Sequence, residues 1–569
     1  MNRTQLFTVA CSAIALAACS SGDVNIKPAT TVTDSNNTTI NNSGGGNPNQ
    51  NCASFVRAGQ TLQGTDDGNG NCTYGSAFVG PQNNLDVDLF IPALPNGGVH
   101  IFTSSLFVGE TYRTQADLTA AGIIEGGDGP TLTIEAGATL AFQTNSDFVI
   151  INRGSRILAD GNANNPITFT SVSDINGTVL PEDVQQWGGI VINGFGVSNK
   201  CSYDGVRGEP GFQLTPGTEC SIEAEGSVGD DESQYGGDND ADSSGILRYV
   251  RVKHTGAQVA NGDELNGISF GGVGSGTVIE NLQVYSTYDD GVEMFGGSVD
   301  ITNLVAVYVR DDSIDIDEGY NGTITNALVI QQENDGDHCI EADGLGSYSG
   351  LDQPTKDDFI ARDLNSAPTI NRLTCIVSAN EGGTHSDGSG WRLREGIHPV
   401  INDALVISSF GANDTSSGDD NYCLRIDSAE TQDAAVNGDL QLNQVIFACQ
   451  ENSRGNAIGG FADEQAWAES VGNQFATLAD GVATDPTVAA DSGLQLLEAS
   501  AQNPPIYSIS WASSQVDGLA PTGTTQPSTG DFLGALEASS DWAAGWTYGI
   551  FDGVDANGNA TRGQPLWFE

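Results

Sequence analysis

Basic residues are scarce. The 569-residue chain carries 20 Lys plus Arg against 74 Asp plus Glu, a formal charge of −54. That balance excludes nucleic acid as a partner and disfavours anionic lipid headgroups, because phosphates would be repelled. It favours cations and solubility, and salt would screen the self-repulsion. Only five histidines occur. No nucleophile elbow, P-loop or His-Glu-x-x-His motif is present. No Cys-x-x-Cys pair occurs, which argues against zinc. Long apolar runs are missing too, since Leu6 to Ala18 is too short to span a bilayer. What remains is 38% hydrophobic residues in periodic positions, which implies a packed core.

The leader ends Leu16-Ala17-Ala18-Cys19. It resembles a bacterial lipoprotein signal, which implies removal of residues 1–18 and a lipid on Cys19. Ser20 after the cysteine implies the outer membrane, with the protein facing the periplasm or the surface. An ordinary secretory signal cleaved at an Ala-x-Ala-like site is the alternative. Residues 19–50 are Ser, Thr, Asn and Gly with little to bury, and read as a flexible tether. Eight further cysteines follow: Cys52, Cys72, Cys201, Cys220, Cys339, Cys375, Cys423 and Cys449. An even number in an exported chain implies disulfides. Pairing in chain order gives short closures, each contributing about 3 kcal/mol, among about 105 possible pairings.

Six segments repeat one theme. They run Asn266–Phe270, Asp289–Phe295, Asp311–Asp317, Asp337–Asp343, Ser389–Arg394 and Asn421–Asp427. Apolar and polar residues alternate, so each is a short strand with one face buried. Aligned, one position reads Ser269, Glu293, Asp315, Glu341, Arg392, Arg425. A second repeat places Asn281, Asn303 and Asn326 at spacings of 22 and 23 residues. Asn371, Asn402 and Asn443 follow in the same pattern after longer gaps. A period in the twenties signals a solenoid, and strands without helices make it a parallel β-helix. Stacked asparagines can hydrogen-bond along the coil, and Asn tolerates the left-handed turn that bends it.

These residues, with the block Leu132–Thr170 and Trp187-Gly-Gly-Ile190, resemble the right-handed parallel β-helix (pectate-lyase-like) superfamily and its bacterial surface proteins without assigned activity. The expected fold is all-β: an N-terminal cap over 51–130, the β-helix over 131–460, and a C-terminal cap over 461–569. A short helix is expected within Glu464–Ala479 of that last region.

Stacked strands about 4.8 Å apart put Glu293, Asp315 and Glu341 in one column and Asp317 and Asp343 in a second. Two charges at about 5 Å repel by about 3 kcal/mol at an effective dielectric near 20. Relief comes from pairing with Arg392, Arg394 and Arg425, from raised carboxyl pKa values, or from a bound cation. The calcium set would be Asp312, Asp315, Asp317, Glu341 and Asp343. Asp238, Asp240 and Asp242 have the alternating spacing of a second calcium loop, but Tyr249 stands where its twelfth-position Glu belongs. Asp67–Asn71 and Asp555–Asn559 match that spacing more weakly.

The polygalacturonase-like text Asp311-Asp312-Ser-Ile implies acid–base roles for Asp311 and Asp312, with Asp290 as a third. The family's Gly-His-Gly is absent, the nearest text being Gly383-Thr-His385, and its Arg-Ile-Lys appears only as Arg425-Ile-Asp427. The leading expectation is therefore a lipid-anchored binding protein without turnover. Its charged face would take calcium, a polysaccharide or an envelope partner such as an outer-membrane transporter. A polysaccharide lyase or glycoside hydrolase is the alternative. His338 and His385 are the histidines placed for chemistry, while His254 and His398 read as structural.

Overall fold

From Gly245 onward, successive coils pair a short strand with a longer strand that bends at a left-handed residue. The computed structural model describes residues 51–566 apart from 124–127, 227–232, 261–262, 379–387, 408–421, 449–450, 476–505, 507–508, 511–531, 538 and 555–559. The bend is visible in the strand Gly245–Thr255. Its residues 245–248 pair in parallel with 157–160, while 250–252 pair with 167–169. Between them Tyr249 has φ 50°. The equivalent residues of the next coils are Asn281, Asn303, Asn326, Arg372, Asp403 and Gln444, with φ between 56° and 63°. One such residue per coil folds a long strand across two faces. The third face is a ten-stranded parallel sheet from Leu106–Val108 to Glu451–Ser453. The chain is thus a mostly-β parallel solenoid, as the repeats imply.

The asparagines form two ladders rather than one. Nδ2 of Asn303 donates to Oδ1 of Asn281 at 3.0 Å, and Asn326 donates to Asn303 at 2.9 Å. Asn402 donates to Asn371 at 2.8 Å, and Asn443 to Asn402 at 3.0 Å. Asn371, however, pairs in register with Thr325, one residue before Asn326. The single asparagine column drawn from the sequence is corrected here. In the later coils the left-handed residue is the one after the asparagine, and Arg, Asp or Gln occupies it. Stacking needs only a constant position from rung to rung, so the ladder restarts on extended backbone.

The interior is a continuous apolar column from Phe55 to Phe447, with Trp187 stacked on Phe142 at 4.6 Å and Phe142 on Phe102 at 5.6 Å. Cys52–Cys72, Cys201–Cys220 and Cys339–Cys375 are disulfides in chain order. Cys449, the expected partner of Cys423, lies outside the described residues. Parallel pairing starts before residue 131, with Cys72–Tyr74 already paired to His100–Phe102.

Helices occur where insertions leave the coil. Gln115–Ala121 is capped by Thr114, whose side chain accepts the amide of Asp117, and Gln353–Ala361 is capped by Asp352. The expected C-terminal helix spans Glu464–Ser470 and stops short of Ala479. Gly472, at φ 101°, turns the chain there. Trp467 enters the core at this end of the coil and donates Nε1–H to Ala435 O. The described residues from Phe532 to Leu566 take another route. They run back along the flank of the long sheet, covering outward-facing Val305, Val307, Leu328, Ile330, Leu405 and Ile407. An apolar outer surface of that length needs a cover, and this strap supplies it.

Candidate functional site

Outward-facing residues of the ten-stranded sheet form three parallel columns. The middle one pairs Ser269 with Glu293, Glu293 with Asp315, Asp315 with Glu341, Glu341 with Arg392, and Arg392 with Arg425. This register is the one the sequence alignment implies. Along a second column, Phe295 pairs with Asp317 and Asp343 with Arg394. A third column lies at the start of the strands: Asn266, Asp290, Asp312, His338, Ser389, then Tyr422.

The third column is tied by its own side chains. Asn266 Oδ1 accepts the amide of Asp290 at 3.1 Å, Asp290 Oδ1 accepts that of Asp312 at 2.9 Å, and Asp312 Oδ1 accepts that of His338 at 2.7 Å. Each side chain thus satisfies the backbone donor one rung on. His338 Nδ1 lies 2.8 Å from the same Asp312 oxygen, and its Nε2 lies 2.9 Å from the Tyr422 hydroxyl. All three are buried. Asn266 and Tyr422 carry no charge at neutral pH, so in the sequence only their position three residues before Ser269 and Arg425 marks them. Their alignment with Asp290 and Asp312 was the available signal.

Close turns set this column. A Cβ on Gly267 would meet Gly291 O and Val284 Cγ1, both at 2.5 Å. Glycine is therefore needed where the chain swings into the strand.

The arginines neutralise one end of the face. Arg392 Nη1 lies 2.8 Å from Glu341 Oε1 and its Nε 3.2 Å from Asp427. Arg394 bridges Glu341 at 2.9 Å and Asp343 at 2.5 Å. Arg425 pairs with Asp427 at 2.6 Å. At the side, Lys200 pairs with Glu318, whose other oxygen accepts from Ser198 at 2.7 Å and Tyr235 at 2.8 Å.

The other end is crowded with acid. Four groups each bring three ligand atoms within 4.8 Å of one another: Asp289–Asp290–Asp311, Asp290–Glu293–Asp315, Asp312–Asp315–Glu341 and Asp312–Asp337–His338. They overlap through Asp290, Asp312 and Asp315. Burial, then Glu341 and Asp312, pushes the Asp315 carboxyl well above its ordinary range. Burial and neighbouring carboxylates push Asp290, Glu293 and Asp312 the same way. Burial, with Glu225 and Asp311 nearby, raises Asp289 to about 8. Asp311, through burial and Glu341, rises to about 6, as does Asp337, through burial and Asp311. Burial lowers His338.

Each group could hold a metal ion, because its ligand atoms all lie within 4.8 Å of one another. Asp312, Asp315 and Glu341 of the expected calcium set come together. Asp317 and Asp343 join none of these groups. Asp343 is held by Arg394, and Asp317 accepts the amide of Glu318 at 2.6 Å. Among the described residues, Asp238, Asp240 and Asp242 join none of these groups either. Asp240 is engaged by Arg207 at 2.7 Å, Asp238 accepts the Leu214 amide and Asp242 the Phe195 amide. Asp238 and Asp240 thereby pin the Cys201–Cys220 loop. The Gly344–Pro368 insertion meets the same loop, with Leu364 packed among Val197, Cys201 and Tyr203. Asp67 accepts the amides of Asn69 and Asn71 in a local turn. His385 and Asp555–Asn559 lie outside the described residues.

No curated protein and no solved structure matches the chain. A family model described as a pectate-lyase like beta helix domain matches residues 106–490, more than half of the chain, and the chain belongs to that family.

Proposed function

We propose that this protein is a lipid-anchored β-helix protein of a bacterial outer membrane whose acidic rungs bind calcium without turnover. One observation carries the reading. Asp315 sits in two overlapping carboxylate groups, with Asp290 and Glu293 on one side and Asp312 and Glu341 on the other. Repulsion and burial together make that arrangement costly unless protons or a cation neutralise it. Calcium would be held by Asp290, Glu293, Asp312, Asp315 and Glu341, and would supply the positive charge that lets the face accept an anionic polysaccharide or an acidic envelope partner. The flat run of parallel rungs suits such an extended ligand. The anchor rests on the leader and Cys19.

Calorimetric titration of the mature protein with calcium tests the site. Binding that weakens at least tenfold in Asp315→Asn supports it. Absence of binding, with a melting temperature indifferent to chelator, overturns it. Cys19→Ser should release the protein from the membrane fraction, and retention there overturns the anchor.

A lyase or hydrolase reading has one observation in its favour: the hydrogen-bonded line Asp312–His338–Tyr422 beside Arg425. Asp290, Asp311 and Asp312 would then carry acid–base chemistry. Incubation with a glycan panel, with and without calcium, decides. New reducing ends or unsaturated uronates, lost in Asp312→Asn, would establish turnover.

A further inference from the structure

A buried ion pair lies under the strap, away from the charged face. Thr170 and Lys253 stand opposite each other on neighbouring rungs of the long sheet, since Phe169 pairs with Val252 in register. After Ser171 the chain turns into the short helix Val172–Ile175, which carries Asp174. The Ser171 side chain caps that helix and accepts the Asp174 amide at 3.0 Å, which fixes the backbone there. Lys253 Nζ lies 2.8 Å from Asp174 Oδ2.

Water is largely excluded from the pair. The side chains of Lys253 and Asp174 are 8% and 17% exposed, and that of the adjoining His254 is 1% exposed. Tyr548 of the strap covers the amine, with its ring centre 3.8 Å from Nζ. Tyr285 packs in edge-to-face contact with both Tyr548 and His254. Burial lowers the Lys253 pKa, and Asp174 opposes that shift. Burial pushes the Asp174 carboxyl up, but His254 and Lys253 outweigh it and hold the group below its ordinary range. The resting pair is therefore ionic, in surroundings that raise the cost of charge.

The two carboxylate oxygens have different neighbours. Thr170 Oγ1 donates to Oδ2 at 2.6 Å. His254 Nε2 faces the other oxygen, Oδ1, at 3.6 Å. Nδ1 of the same ring lies 2.6 Å from the carbonyl oxygen of Asp183. A carbonyl only accepts, so Nδ1 keeps its proton and Nε2 is the nitrogen that exchanges one. A hydrogen-bond donor thus meets one oxygen, and an acid–base group meets the other.

We propose that Lys253 and Asp174 join in an intramolecular amide bond. Lys253 first gives up one proton, which settles on Oδ1 and leaves a neutral amine beside a carboxylic acid. The Nζ lone pair attacks Cγ, and the Thr170 hydroxyl stabilises the charge that develops on Oδ2. His254 takes a second proton from Nζ and delivers it to Oδ1. That oxygen departs as water with both protons, so a C–O bond breaks, a C–N bond forms, and one hydrogen stays on the nitrogen. No oxidant, metal or co-reactant enters the balance. Fixed approach within the folded chain supplies the encounter that free side chains lack. The bond ties together residues 79 apart, closing a loop that contains the Cys201–Cys220 disulfide.

The test is peptide mapping of the mature protein by tandem mass spectrometry, after reduction of its disulfides. The peptides bearing Asp174 and Lys253 should appear as one branched species, about 18 Da lighter than their sum for the water lost. Lys253→Met and Asp174→Ala should each abolish that species. His254→Gln keeps both reacting groups and should slow its build-up in freshly synthesised protein by about tenfold or more. Recovery of the two wild-type peptides unlinked would overturn the proposal, whether or not the variants fold. A branched species joining Lys253 to a different carboxyl would overturn the assignment of Asp174, and build-up unchanged in His254→Gln would overturn the part given to His254.

Discussion

Glu341 and Arg392 stand directly across from each other on adjoining rungs, with 2.8 Å between Oε1 and Nη1. This pair marks where the charged face changes character. Beyond it the arginines match the carboxylates. Before it Asp315, Asp290 and Glu293 crowd together with their pKa values raised.

Removing the arginine at that boundary should have two effects. Arg392→Gln leaves a half-buried carboxylate without its closest cation, and should cost about 1–3 kcal/mol in urea unfolding without calcium. It should also tighten calcium binding, because a competing cation has gone. Unchanged or weaker calcium affinity would separate Glu341 from the metal site.

Asp315→Asn should act in the opposite sense. It removes a carboxyl whose charged form burial, Glu341 and Asp312 disfavour, so the calcium-free protein should melt higher than wild type. In calcium the order should reverse, since the variant gains less from the ion. Parallel melting curves with and without chelator check this crossover.

The pH dependence follows from the raised carboxyls. Asp311 and Asp337 titrate near 6 and Asp289 and Asp317 near 8 in the folded protein, against about 4 when unfolded. Between those values the folded state holds more protons, so calcium-free stability should fall as pH rises from about 4 to 8. His338, with its pKa lowered, acts in reverse: the unfolded state binds its proton first below about 6.5, so its own contribution grows with pH up to that value. Four carboxylates outweigh one imidazole. Calcium should flatten the profile, as thermal melts across pH 4–8 would read.

Asn303 donates to Asn281 and accepts from Asn326 while sitting at φ 63°. Asn303→Ala loses both bonds and leaves a methyl side chain in the left-handed region, at about 2–4 kcal/mol. Asn303→Gly loses the bonds without that strain and should cost about 1 kcal/mol less. Equal losses for the two variants, measured by denaturant unfolding, would show that the backbone bend carries no cost.

Deleting the chain from Phe532 onward should expose Val305, Val307, Leu328, Ile330, Leu405 and Ile407 together. The truncated protein should bind a hydrophobic dye and associate at micromolar concentration, with the coil's β-rich circular dichroism retained. A monomer without dye binding would mean that the strap is dispensable cover.

By itself the sequence determined the solenoid and the register of its charged face. Strand side chains alternate with period two, and a one-residue slip would turn the apolar set outward, so aligning Val292, Ile314, Ile340 and Trp391 also aligns Glu293, Asp315, Glu341 and Arg392. Tertiary structure decided what no period encodes. The shift from Asn326 to Asn371 depends on which residue takes the bend, and several residue types can. The line from Asp312 through His338 to Tyr422 depends on reach across two rungs. The path of Phe532–Leu566 depends on an outward apolar surface that arises only when separate coils stack. Local spacing is written residue by residue, whereas contacts between distant segments follow from which surfaces the stacked coils leave uncovered.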